Sequence, residues 1–302
     1  MKRLIYTCGV LIAVGIGLVI SGFILSGKKG FALDYKNKKM LYSEDETVKD
    51  TIEFEAFDEA EINIPYASLE IIEGDSYKLE YAADKNNDLK AEVKDGKLIL
   101  NYSNASRSFN FNFGYWDGER YFKLYVPEGT ALKKADIVLG SGSFTMEDID
   151  IADLKIDDDF GSVDIKQMDS EKLDINCESG SVKLSNINTG DLNIVDDFGS
   201  VNLEDVKADK SKFDLESGSL KLKGFESSDI EADSDFGSIN FDLKGSSGDY
   251  NYDLRTEFGS ITLDGDNVGK EEDGFDKVYV GGNGDKKIQI KAESGSIKID
   301  FE

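Results

Sequence analysis

Seven carboxylates recur at one position of a repeated string, and acids set in a row can do one of two things: hold a cation or display charge. Asp159, Glu178, Asp197, Glu216, Asp235, Glu257 and Glu293 each stand two residues before a glycine. If copies of the string stack as neighbouring strands, these acids form a column with about 4.8 Å between members. Each adjacent pair then repels by ~0.9 kcal/mol even in water. Calcium takes several carboxylate oxygens and would relieve the repulsion, so Ca2+ is the one cofactor the column could hold. No calcium-loop spacing accompanies it, and the favoured reading is a solvated acidic edge that discourages strand-to-strand association. One residue earlier, Asp158, Cys177 and Asp196 fall in consecutive copies. A metal or redox centre needs more ligands than these, and the chain has no histidine. That removes the commonest transition-metal ligand, the usual general base and the Ser-His pairing together. Cys177 reads as a small buried side chain. No pair of acids stands out from the repeating background, so no catalytic residue and no enzymatic activity are assigned.

Two aromatic groups are candidates for recognition. Phe160, Phe198, Phe236 and Phe258 immediately precede glycines and could form a stacking ladder. Their phase relative to Val163 and Ile165 argues instead for core packing. The second group is more individual. Phe109, Phe111 and Phe113 alternate with polar residues, and Tyr115-Trp116-Asp117-Gly118-Glu119 reads as the turn of a hairpin that returns through Tyr121, Phe122, Leu124 and Val126. This platform, with the chain's single tryptophan, could bind a glycan or a partner protein. The favoured reading is a hairpin that caps an open end of a strand stack.

The elements that position these residues follow from the glycines. Gly142, Gly161, Gly180, Gly199, Gly218 and Gly237 lie nineteen residues apart, and Gly259 and Gly295 continue the series after insertions. Each is followed by serine and a short alternating run such as Ser162-Val163-Asp164-Ile165. Counting from each glycine, positions −7, −5, +2 and +4 are mostly apolar, so each unit is a strand, a Gly-Ser corner or tight turn, a second strand and a polar return. An antiparallel meander of type II′ hairpins and a parallel β-solenoid both fit. The solenoid is favoured on two grounds. No amphipathic helix is readable to cover an open sheet. The residue before glycine also alternates Ser141, Phe160, Ser179, Phe198, Ser217, Phe236, as it would if a bulky ring in one coil needed small neighbours in the next. Tyr66-Ala67-Ser68-Leu69-Glu70-Ile71 is a degenerate first rung with alanine in the glycine position.

Residues 4–25 are almost wholly apolar between Lys2-Arg3 and Lys28-Lys29, long enough as a helix to cross a bilayer. A cleaved signal peptide is the rival reading. The anchor is favoured because no small-residue cleavage site is present and the apolar run is long for such a peptide. Residues 1–30 hold those four basic residues and no acid. The remaining 31 basic against 61 acidic residues leave −30, a charge that repels nucleic acid. The expected organisation is a cytoplasmic tip at 1–3, a transmembrane anchor at 4–25 and a juxtamembrane stalk at 26–50. A β region with the degenerate rung and capping hairpin follows at 51–135, and the Gly-Ser solenoid at 136–302.

The reiterated Gly-Ser strings from Gly140 to Leu263, and the ending from Val280-Gly281-Gly282-Asn283-Gly284 through Ile288-Gln289-Ile290 to Ser294-Gly295-Ser296-Ile297-Lys298-Ile299, resemble the bacterial "putative adhesin" family. This is a domain-of-unknown-function family that includes LiaG-like membrane-anchored proteins and is related to adhesin-head GIN domains. The resemblance covers most of residues 50–302 and implies an all-β, right-handed β-helix-like fold at a cell surface. It brings no catalytic residues, and a fold is not a function. The resulting expectation is a single-pass cell-membrane protein whose extracytoplasmic solenoid serves as a structural or interaction module, with an envelope protein or glycan as partner. An accessory regulator of an envelope-stress system is the alternative. A polysaccharide-active enzyme ranks last.

Overall fold

The computed structural model describes residues 30–34, 39–42, 47–84, 88–103, 110–114, 120–272 and 276–302. It divides into two compact units, one of residues 1–49, 82–87 and 104–120, the other of 50–81, 88–103 and 121–302.

The larger unit is a stack of parallel coils. Strand Ala131–Glu147 pairs parallel with the start of Asp150–Leu243, placing Leu139 opposite Asp158 and Phe144 opposite Val163, a displacement of nineteen residues. Side chains repeat that displacement up the stack: Ser162 Oγ donates to Ser143 Oγ at 3.0 Å and Ser170 Oγ to Thr189 Oγ1 at 2.7 Å. The meander is thereby excluded. The core is built as the alternation predicts. Leu154, Ile156, Val163 and Ile165, with Leu173, Ile175, Val182 and Leu184 in the next coil, are at most 1 % exposed.

Two of the corners in each coil differ in chemistry. At the Gly-Ser corner the backbones of successive coils nearly touch. A Cβ on Gly180 would lie 1.5 Å from the Gly161 carbonyl oxygen, and one on Gly199 would lie 1.7 Å from that of Gly180. Glycine is required here by close approach, and the ladder runs through the pair without a hairpin turn. The other corner, absent from the sequence reading, is a column of left-handed residues: Asp148, Gln167, Asn186, Asp205 and Gly224, with φ between 52° and 60°. Asp, Asn and Gly are the residues that enter that region at least cost.

The order of coils differs from the order of the chain at both ends. Glu59–Ile64 and Ser68–Gly74 pair parallel with Ala131–Glu147 on one side, and on the other with Lys97–Ser103 and Tyr121–Pro127 respectively. At the far end, Lys286–Ser294 and Ile297–Phe301 lie between the last coil of Asp150–Leu243 and the coil of Tyr250–Phe258 and Ile261–Leu263. A Cβ on Gly142 would point at the Ala67 carbonyl, so Cβ atoms at this corner face the preceding coil. In the degenerate rung Ala67 stands at the glycine position and is buried.

Antiparallel strands close the stack. Asp88–Lys94 covers Lys97–Ser103 at one end, and Asp276–Gly282 covers Tyr250–Phe258 at the other. The expected capping hairpin across Tyr115–Glu119 is corrected. Asn110–Gly114 pairs antiparallel with Gly30–Asp34, while Tyr121–Pro127 pairs parallel with Ser68–Gly74. In the smaller unit, Gly30–Asp34 is central between Lys39–Tyr42 and Asn110–Gly114, so the segment expected as a stalk, 26–50, carries two strands and the start of a third, Thr47–Glu53. Among the described residues no helix is long and apolar enough to cross a membrane. The apolar segment 4–25 lies outside them.

Candidate functional site

The structure brings two of the sequence candidates together at the Gly-Ser corner. The strand inward of it buries positions −7, −5 and −3, and the chain then bends, so that the next two residues both face outward. Phe160, Phe198, Phe236 and Phe258 are 62 %, 60 %, 61 % and 57 % exposed. Their assignment to the core is corrected. Strict alternation places −1 inside with −3, but the corner breaks the phase, because −3 and +2 are both buried across an odd interval. At ~200 Å² per aromatic side chain, each ring presents on the order of 120 Å² of apolar surface, repeated every second coil along one corner.

Beside the rings runs the acidic column. Asp159, Glu178, Glu216, Asp235, Glu257 and Glu293 are exposed and Asp197 is half-exposed. None of the seven takes part in any of the ion pairs that link acids and lysines elsewhere on the stack: Lys97 with Glu61 at 2.6 Å, Lys123 with Glu70 at 2.7 Å, Lys223 with Glu204 at 2.5 Å. The column offers one carboxylate per coil. Among the described residues no three of His, Cys, Asp and Glu gather closely enough to hold a metal ion.

Beneath the stripe lie Asp158 and Asp196, each 1 % exposed, in the coils on either side of buried Cys177. Among the described residues neither carboxylate has a partner in full hydrogen-bond geometry, although the Phe160 amide lies near enough to Asp158 to favour its charged form. They point toward the corner: the would-be Cβ of Gly161 falls 2.6 Å from Asp158 Oδ2, and that of Gly199 falls 2.9 Å from Asp196 Oδ1. Burial pushes each carboxyl up to about 6, the neighbouring Asp159 or Asp197 charge adds to the rise, and the Phe160 amide opposes it at Asp158. Burial, followed by the charges of Asp196 and Asp158, pushes the Cys177 thiol up to about 12. Such a thiol is not a nucleophile at neutral pH.

Sequence reasoning missed a second surface feature. Lys183, Ser185, Asn202, Glu204, Lys221 and Lys223 line a shallow depression of about 430 Å³. Its signal in the sequence is the third residue after each glycine, Lys183, Asn202 and Lys221 in successive coils, which reads as stacking complementarity and equally as a polar rim. Of the aromatic platform, Phe111 and Phe113 sit in strand register opposite Leu33 and Phe31. Phe109, Tyr115 and Trp116 lie outside the described residues.

The family model described as Toastrack DUF4097 matches residues 57–300. No curated protein matches the sequence. A solved structure of a "putative adhesin" from Parabacteroides merdae aligns with a TM-score of 0.52 at 13% identity, covering 86% of this chain and 98% of that one. A "putative lipid binding protein" from Parabacteroides distasonis aligns with a TM-score of 0.50 at 18% identity, covering 86% and 98%. At these identities the likeness is one of fold.

Proposed function

The chain belongs to the Toastrack DUF4097 family, and from that premise we propose that it is a non-enzymatic, adhesin-like interaction module of the bacterial cell envelope. Residues 4–25 hold it to the membrane, and the coil stack stands on the outer side. One observation carries the binding role: four phenylalanines are displayed along a corner, beside seven carboxylates that make no ion pair with a lysine among the described residues. Exposed rings contribute nothing to the core, and unpaired like charges in a column cost stability. The acids recur in every coil from Asp159 onward and the rings in every second one, which is the cost profile of a binding surface. The absence of histidine from the whole chain and the inert environment of Cys177 support a role without catalysis. The external location is supported by the apolar segment and by relatives described as adhesins.

Two measurements test this. A cysteine placed at exposed Ser219 should be labelled by a membrane-impermeant maleimide on intact cells; labelling only after lysis would refute the location. Purified chain immobilised on beads should be retained by envelope fractions. The combined Phe160→Ser, Phe198→Ser and Phe236→Ser variant should lose at least about tenfold of that retention, the scale of a few lost hot-spot contacts. Undiminished retention would remove the stripe as the binding surface.

A further inference from the structure

The spacing of the rings constrains the shape of whatever lies on them, an inference that rests on the stripe being a binding surface. Phe160, Phe198 and Phe236 are two coils apart. Phe258 is two coils beyond Phe236, because the coil of Ser294 lies between them. Two strand spacings make about 9.6 Å. An extended strand presents the same side every two residues, roughly 6.7 Å, and falls out of step after one interval. An α-helix returns to one face every ~5.4 Å, so two turns overshoot by more than about 1 Å at each ring. A polyproline II helix has three residues per turn and a rise of about 3.1 Å, so one edge repeats every ~9.3 Å. The mismatch is ~0.3 Å per interval and stays below about 1 Å over the whole ladder.

Charge selects the ligand's composition. Among the described residues the seven carboxylates beside the rings have no lysine within ion-pair distance, and buried Asp158 and Asp196, the latter without a hydrogen-bond partner, lie under Phe160 and Phe198. A second copy of this chain would bring seven more carboxylates against them. An anionic polymer would be repelled in the same way. A cationic segment gains carboxylate pairing and the faces of the rings at once. We propose that the stripe binds a basic polypeptide segment in the polyproline II conformation. Proline or aliphatic groups at every third residue sit on Phe160, Phe198 and Phe236, and lysine or arginine side chains reach the acidic column. Ser179, Ser217 and Ser294 leave the room between rings that such a ridged ligand needs. A preformed polyproline helix loses little conformational entropy on docking, which suits a flat and exposed site.

The full chain is titrated, with fluorescence anisotropy as readout, against a labelled peptide of about four Lys-Pro-Pro repeats. The controls are a peptide of the same composition with its lysines clustered, and a Lys-Gly-Gly repeat of equal charge. The periodic proline peptide should bind at least about tenfold more tightly than either control. Combining Phe160→Ser, Phe198→Ser and Phe236→Ser should erase that preference with the melting temperature unchanged. Serine is native at this position in the intervening coils, so the variant is expected to fold. Combining Asp197→Asn, Glu216→Gln and Asp235→Asn should weaken binding and flatten its dependence on salt. Equal affinity for periodic and clustered peptides, or a serine variant that binds as the parent does, overturns the proposal. No binding of the periodic peptide, together with lost envelope retention in the serine variant, would overturn this ligand and leave the stripe standing as a surface. Loss of neither would remove both.

Discussion

The corner stripe and the face next to it are made from the same nineteen-residue string, yet they handle charge in opposite ways. On the adjoining face, Lys223 of one coil reaches Glu204 of the coil before, and Lys183 and Lys221 alternate with Asn202. Stacking there sets unlike or neutral groups against each other. On the stripe, acid follows acid and each ring stands over a gap. The stack tolerates the first arrangement because it is neutral in energy, exposed pairs being worth ~0–1 kcal/mol. The second it must sustain against a small cost at every step. Repetition alone cannot explain both, and the stripe is where a requirement other than folding has shaped the string.

The contrast can be broken or sharpened by substitution. The largest effect belongs to the corner itself. Gly199→Ala drives a methyl group into the Gly180 carbonyl and should destabilise the stack by about 3 kcal/mol, read by urea denaturation. A loss below about 1 kcal/mol would mean that the corner opens freely.

Next comes the buried pair beneath the rings. Asp196→Leu copies the residue found three coils away at Leu139 and one coil away at Leu215, both buried. It should stabilise by roughly 2 kcal/mol at pH 7, because it removes an unpartnered buried carboxylate. The folded pKa of about 6 lies above the unfolded value of ~3.9. The native state therefore binds the proton more tightly, and the stability contributed by protonation is complete below about pH 4 and lost as pH rises through 6. The advantage of the leucine variant should shrink steadily from pH 7 to pH 4. A constant advantage would show that Asp196 is ionised and satisfied.

Smallest is the effect of the rings on stability. Phe198→Ser alone should move the unfolding free energy by no more than ~0.5 kcal/mol, since the ring is 60 % exposed. A loss above about 2 kcal/mol would return it to a packing role and dissolve the contrast.

What could be read beforehand was whatever repeats locally. The glycine interval, the inward positions and the parallel stacking all follow from copies of one string needing one another's backbone and side chains. Phe160 was misplaced because alternation was carried through a corner that interrupts it: the odd interval from Ile156 to Val163 marks the break in phase without telling on which side of the ring it falls. The left-handed column was written in the chain as Asp148, Asn186, Asp205 and Gly224 but was masked by Gln167, a residue that rarely adopts that conformation. The pairing of Asn110–Gly114 with Gly30–Asp34 joins segments about eighty residues apart in the chain. Any two alternating runs could have made it. The order of the end coils was equally hidden, because a coil looks the same in sequence whichever neighbour it lies against.

That order has a consequence for how the stack is made. A solenoid normally lengthens by laying each new turn on the free rim left by the last. Here the turn formed by Tyr250–Phe258 and Ile261–Leu263 finds its seat only once residues 286–301, which follow it, are already in place against Ile230 to Leu243. Stepwise winding stops at that rim, and the final two turns must close together like a bolt. The finished end should open only as a whole, and hydrogen exchange there should report one joint event instead of gradual fraying.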